Sequence, residues 1–384
     1  MKLLFYISLA SLFATGGAAG KITVDGVEVT DSDEHYLKYA RYIIVPSSWE
    51  GQINNQQGGH WDQATQMENA LKAGNPPSVE AIHDLVTWFK TQYASTGWNH
   101  IFSSMKGSSE VFAFDSPYHA RDTAIQRVET LRMMDHFNFD HRYRYWDLDL
   151  PPTPSAANWE VGDPPRRSLF RQTSGLAYDA IQQITAPLKT YAGADNWKVL
   201  TGVEAREDPT RGECLGAAKA CIWWGASRAM GQTRFNQLYP APNGLNMGEK
   251  SKNLSLVQDK NTLVPGDFVY FQNDNYGEIV AKKEFKDKNI WNGQSLLNGD
   301  SIYSWAGENA FYVGKNSNGE RMFEGLGLDL TEKAMRAYLA ERYNTQLHKV
   351  ITEAAKHGGK LLGLKVTEIA PEDVQITNES RPKH

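Results

Sequence analysis

The chain has 384 residues, 40 Lys and Arg against 45 Asp and Glu, and a formal net charge of -5. The basic residues are scattered, which argues against a nucleic-acid partner, and the length allows one large domain or two. Only two cysteines occur, Cys214 and Cys221.

At the amino terminus, Lys2 precedes the apolar run Leu3 to Ala14, and Thr15 to Gly20 is rich in Gly and Ala. That order is the order of a secretory signal cleaved near Ala19 or Gly20, so residues 1–20 are expected to be removed from a secreted, extracellular protein. The run is too short to span a bilayer, and no later stretch is long enough either. No membrane insertion is expected.

Ile22 to Val29, with Asp25-Gly26 inside it, predicts a small hairpin. From His35 to Leu150 the chain is rich in Trp and Tyr. One helix is expected after Ser78, burying Val79, Ile82, Val86 and Phe89, and a second burying Ala124, Val128 and Leu131. The cluster from His136 through His141 to Asp147 and Asp149 combines His with carboxylates. Its two histidines are five apart with aromatics between them, whereas helical metal pairs want spacings of three or four. It reads as a polar structural patch, and no metal is expected. Pro151, Pro152, Pro154, Pro164 and Pro165 then mark a domain boundary. Residues 21–165 are therefore taken as an aromatic-rich, mainly helical region of unknown role, and residues 166–345 as a second domain.

In that domain Leu169, Leu176, Ala177, Ala180, Ile181 and Ile184 predict a helix ended by Pro187, and a short strand is expected around Trp197 to Val203. Arg211 to Met230 reads as a buried helix opened by a Gly-containing turn, with Cys214 at its front. Cys221 lies two turns on, about 10 Å away at roughly 1.5 Å per residue. A disulfide needs Cα atoms within about 7 Å, so two free thiols are expected. The first turn of a helix favours a thiolate and lowers the cysteine pKa, which makes Cys214 a candidate nucleophile and Cys221 a packing residue. The plainer alternative is that both are small core residues.

The later part is rich in strands. Leu263 to Gln272 predicts a turn and a strand, and Ala310 to Gly314 and Met322 to Leu328 predict two more. Thr331 is placed to cap a helix carrying Met335, Leu339, Leu347, Val350 and Ile351, closed by Gly358-Gly359. Residues 346–384 are expected to be the end of that helix and a polar tail, mobile after Pro371. A cysteine-bearing helix followed by an antiparallel sheet is the order of an α+β cysteine-hydrolase-like domain.

A thiol nucleophile needs a proton-moving partner, most often His. All ten histidines fall at His141 or earlier, or at His348 or later. Carboxylates are the local alternative. Glu308, in W-A-G-E-N-A-F-Y-V-G, sits where a Gly turn meets a strand; a surface loop is the competing placement for such a residue. Glu213 neighbours Cys214, and adjacent residues on a helix do not share a face, a restriction that loosens at the turn before the helix.

Taken in order, N-W-K-V at Asn196 to Val199, G-E-C before an apolar helix, P-G-D-F-V-Y-F-Q-N, and W-A-G-E-N with a later G-L-G resemble the bacterial spore-coat type of protein-glutamine gamma-glutamyltransferase, the small calcium-independent transglutaminases. The resemblance spans roughly Ser168 to Tyr343. It implies a compact papain-like, NlpC/P60-like α+β core, with the mainly helical amino-terminal region as an addition. By position, Cys214 matches the family's nucleophile, Glu308 its main carboxylate partner and Glu213 a second carboxylate sharing that role. Asp267, Tyr270 and Asn309 match positions in its sheet and site wall. Trp305, with Trp223 and Trp224, would wall an apolar tunnel or simply pack in the core. One departure stands out: Glu324 occupies the place before G-x-G where the family has His, so proton transfers assigned to that histidine fall to Glu324 or have no counterpart.

Together with the secretory signal, the resemblance implies a secreted enzyme with no cofactor. It would join protein substrates bearing Gln and Lys, or small primary amines, through a Cys thioester. Two alternatives stand beside it: a thiol-dependent protein deamidase or amide hydrolase, and a non-catalytic secreted binding protein with a vestigial cysteine.

Overall fold

The computed structural model describes residues 21–29, 98–145, 159–161, 170–172, 174–191, 194–240, 245, 254–257, 260–273, 307–356 and 368–382, with isolated positions between 66 and 84. Lys21–Val24 (β1) and Val27–Glu28 (β2) form the expected hairpin, and its turn residues Asp25 and Gly26 have φ of 52° and 74°. Asp-Gly supplies that conformation at low cost. On its other edge β1 pairs in parallel with Val111–Phe114 (β3). Ile22, Val24, Phe112 and Phe114 of this small sheet pack on Ile101, Phe102 and Met105 of α1 (Trp98–Lys106) and on Ala124, Ile125 and Val128 of α2 (Pro117–Phe139).

Helix α2 begins where the sequence dictates. Ser116 Oγ accepts the His119 N–H at 3.2 Å, and Pro117 takes a first-turn position that needs no N–H. Of the helix expected after Ser78, the cap is described: the Ala81 N–H donates to Ser78 Oγ at 3.2 Å. Val79, Ile82, Val86 and Phe89 lie outside the described residues.

The prolines of the expected boundary lie outside the described residues, and the core extends to both sides of them. Met133, Met134, Phe137 and Tyr143 share one apolar cluster with Ala217, Cys221 and Trp224 of α5 (Cys214–Leu238). The cause is that α5 is apolar around its whole first half and must be covered on every side; α2 supplies one of those covers. The two helices touch closely at Gly225, where an added Cβ would lie 2.3 Å from both Gln126 O and Thr130 Oγ1. Tyr143–Tyr145 (β4) then pairs in parallel with Thr210–Gly212 (β7), the strand that leads into α5. Residues 117–145 are thus built into the core around α5.

Between them, Trp159–Val161 (β5) and Phe170–Gln172 (β6) form an antiparallel pair. The helix expected from Leu169 starts later, as α3 (Ala177–Ile184), burying Ala177, Ala180, Ile181 and Ile184. Ala194–Thr201 is a helix (α4), not the strand expected near Trp197. Among its described side chains the buried apolar one is Trp197, stacked on Trp224 with ring centroids 4.9 Å apart, while Val199, two residues on, is 82% exposed, against the two-residue period of a strand. Helix α5 runs to Gly231, where φ 70° and ψ 171° break it and a second stretch continues to Leu238.

Leu254–Leu256 (β8), Phe268–Asn273 (β9), Gly307–Lys315 (β10), Arg321–Gly325 (β11), Leu328–Thr331 (β12) and Val374–Pro382 (β13) form an antiparallel sheet ordered β12-β11-β10-β9-β13-β8. Phe268 and Phe311 face the α5 cluster. Val269, Phe271, Ala310, Tyr312 and Phe323 face the other way, onto Met335, Leu339, Tyr343 and Leu347 of α6 (Glu332–Lys356). Thr331 caps α6 by accepting the Ala334 N–H at 3.2 Å. The segment expected to be a mobile tail is β13: Val374 and Ile376 alternate inward, and Arg381 is buried. Among the described residues no helix is long and apolar enough to cross a membrane.

Candidate active site

Strand β7 delivers the chain to the start of α5. Glu213 is the N-cap in extended conformation, φ -94° and ψ 171°, and its side chain does not cap the helix. Its carbonyl accepts the Ala217 N–H at 3.1 Å, the first hydrogen bond of the helix. Glu213 is exposed and Cys214 partly exposed. The sulfur therefore stands at a helix start that reaches the surface, whereas Cys221 is fully buried; both thiols are free.

The sheet reaches the sulfur through β10. Side chains alternate along a strand, so Asn309 shares the α5 face with Phe311 while Ala310 and Tyr312 face α6. Asn309 Nδ2 donates to Cys214 Sγ at 3.1 Å. Glu308 is 2% exposed, and its carboxylate lies along Gly325, where an added Cβ would come within 2.9 Å of Oε1. Tyr270 pairs with Asn309 across β9 and β10, and its ring covers Gly307, where a Cβ would lie 2.5 Å from Cζ. Glycines at 307 and 325 thus leave room for a phenol on one side of β10 and a carboxylate on the other.

Burial pushes the Cys214 thiol up to about 12, the charge of Glu308 adds to the rise, the Asn309 amide pulls against it, and Glu213 raises it again. This reverses the lowered pKa expected of a helix start. A helix dipole is worth about 0.3–1 kcal/mol at such a position, less than the roughly 1.4 kcal/mol of a tenfold change in proton affinity. Loss of water and two carboxylates outweigh it. At neutral pH the group is a thiol, and it must hand its proton to a base as it attacks.

Glu324 lies on β11 with Phe311 as its cross-strand neighbour, 5% exposed. Burial and then the charge of Asp135 hold its carboxyl well above the usual range, although Asn138 Nδ2 donates to Oε1 at 2.9 Å. Asp135, on the exposed side of α2, shares a hydrogen bond with it. Glu324 is therefore the protonated member of a carboxyl pair joining α2 to the sheet. Burial and then Glu324 and Asp135 also raise the Cys221 thiol, so the pair faces Cys221, two turns beyond Cys214.

Asp267 is fully buried in an ion pair with Arg127 of α2 at 2.9 Å, and Arg381 of β13 donates to its Oδ2 at 3.2 Å. Trp223 and Trp224 lie in the α5 core. Trp305 lies outside the described residues. His136 Nδ1 sits 2.7 Å from Asp140 Oδ2, which Arg142 also holds, while Asp147 and Asp149 lie outside the described residues. Among the described residues no group of three or more His, Cys, Asp or Glu is set to hold a metal ion.

The structure thus puts Asn309 in contact with Cys214, keeps Glu213 as its chain neighbour, leaves Glu308 acting on the thiol by charge from the Ala310 face of β10, turns Glu324 toward the α5 side of the sheet, and puts Asp267 into a structural ion network. Sequence reasoning missed Tyr143, whose hydroxyl donates to the Glu213 carbonyl at 3.2 Å, and Asp135 and Asn138, which hold Glu324. The Y-R-Y alternation at Tyr143 to Tyr145 was the available signal for a strand there. Compared with protein-family models and with curated proteins, the chain matches none.

Proposed function

We propose that the protein is a secreted thiol acyltransferase of the protein-glutamine gamma-glutamyltransferase type, working without metal or cofactor on a papain-like core. The observation that carries this is the Asn309 amide on the Cys214 sulfur, brought from a strand about ninety-five residues away, with the charge of Glu308 on the same strand acting on that thiol. A thiol on a partly exposed residue at the rim of a buried core, with a carboxylate acting on it, is an arrangement for chemistry that packing alone does not call for.

Glu308 takes the Cys214 proton as sulfur attacks the carboxamide carbon of a protein glutamine. The uncapped N–H groups at the start of α5 receive the developing oxyanion. As the C–N bond breaks, Glu308 returns the proton to nitrogen and ammonia leaves, giving the thioester. A lysine amine then attacks, Glu308 accepts its proton, the C–S bond breaks, and the proton returns to sulfur. Water in place of the amine gives glutamate.

The test is incorporation of a labelled primary amine into a glutamine-bearing protein. Cys214→Ala should abolish it and Cys221→Ala leave a substantial fraction; equal loss would mean the wrong thiol. Ammonia release without incorporation would make the protein a deamidase. Failure of native Cys214 to react with iodoacetamide even at alkaline pH would leave a non-catalytic protein.

A further inference from the structure

We propose that Tyr143, from the amino-terminal region, is a positioning residue that fixes the start of α5 and with it the direction of the Cys214 sulfur. As a claim about catalysis it rests on the function proposed above; as a claim about the thiol it does not.

Tyr143 is 2% exposed and stacks on Phe137 of α2 with ring centroids 5.0 Å apart. Pairing of β4 with β7 sets Tyr143 opposite Thr210 and Tyr145 opposite Gly212. From there the phenol crosses β7 and donates to the carbonyl of Glu213, the residue before Cys214. That carbonyl also accepts the first helical N–H, so one oxygen ties the helix start to β4. Glu213 gives no side-chain cap, which leaves Tyr143 holding the turn from outside.

Gly212 shows that the hydroxyl's place is built in. An added Cβ there would lie 2.0 Å from Tyr143 Oη and 3.0 Å from Cζ. The ring alone would be crowded by a methyl group; the hydroxyl would be displaced. The glycine of G-E-C is therefore required by a tyrosine some seventy residues earlier. Burial raises the phenol's pKa, and the nearby Cys214 and Glu213 raise it further, so it stays a donor through the working pH range.

The experiment measures iodoacetamide alkylation of Cys214 against pH in the full-length protein, with the melting temperature recorded alongside. Tyr143→Phe keeps the stacked ring and should slow alkylation about fivefold to tenfold, the worth of one lost hydrogen bond, with little change in melting temperature. Gly212→Ala is the second variant. It should slow alkylation similarly, and adding Tyr143→Phe to it should restore part of the rate, because the clash with oxygen disappears. An unchanged rate in both single variants, or strictly additive losses in the double variant, would overturn the proposal. If the rates behave as expected but wild-type protein incorporates no amine, the proposed function fails and the positioning role stands.

Discussion

Asn309 Nδ2 donates to Cys214 Sγ across 3.1 Å, joining the first residue of a helix to the third residue of a strand. The side-chain amide, and after it the backbone of the same residue, opposes the rise of this thiol's pKa. Asn309→Ala should therefore raise the thiol further and leave less thiolate at any pH. Hydrogen bonds to charged groups are worth about 1.5–3 kcal/mol, and the greater nucleophilicity of a more basic thiolate takes back about half of the lost fraction logarithmically, so alkylation of Cys214 at pH 9 should fall about threefold to tenfold. An unchanged pH–rate curve would mean that the amide packs against the sulfur without stabilising its anion.

Glu308 acts in the opposite sense, and its replacement should split two measurements usually expected to move together. Glu308→Gln removes a negative charge that raises the Cys214 pKa. Below that pKa the thiolate fraction should rise tenfold for each unit of fall, and reduced nucleophilicity takes back about half of that logarithmically, leaving about a threefold faster alkylation. Amine incorporation should fall by about 10²–10⁴-fold, the contribution of a positioned base. Slower alkylation, or retained turnover, would put the base elsewhere.

The local pattern of the sequence carried most elements. Asp25-Gly26 announced a hairpin, Thr331 a cap, and the apolar run after Cys214 a helix wanting cover on all sides. What local pattern does not carry is the identity of the cover. Nothing in D-H-F-N marks Asp135 and Asn138 as the partners of Glu324, because the pairing exists only once α2 lies against the sheet. The same holds for Tyr143 over Gly212. Strand β13 was hidden for a related reason: its polar end is matched by burial of Arg381 against Asp267 and Glu110, so polarity there signals an ion network and not solvent.

The carboxyl pair should make stability depend on pH. Folded Glu324 holds its proton above the ordinary 4.5 of a free side chain. A raised carboxyl pKa contributes stability that is fully present below about 4.5 and is lost as pH rises through the folded value. The groups facing the pair are Arg132 and His136 on α2, Asp329 on β12 and Cys221 on α5. Arg132 and His136 favour ionisation of Asp135, and Asp329 opposes it. Glu324→Gln keeps a donor toward Asp135 and an acceptor for Asn138 without a charge to bury. It should stabilise the protein at pH 8 by on the order of 1 kcal/mol, less than one tenfold step in proton affinity, and change little at pH 5. Urea titrations at the two pH values check this; equal effects at both would mean that Glu324 is already ionised in the folded protein.

Asp267 separates a structural role from a chemical one. It sits at zero exposure between Arg127 of α2 and Arg381 of β13, accepts the Val264 N–H at 2.8 Å, and follows Gly266, whose φ of 88° makes the turn. Arg127 also donates to the carbonyls of Val264 and Pro265, so one buried charge cluster joins the amino-terminal helix, the turn into β9 and the last strand. Replacing one member of a buried pair leaves its partner's charge stranded, at a cost of about 3–5 kcal/mol. Asp267→Asn should lose stability on that scale while the protein that remains folded alkylates Cys214 at the wild-type rate. Melting and alkylation measured on the same sample decide it: an intact melting temperature with a lost reaction would move Asp267 from the frame of the fold into the site.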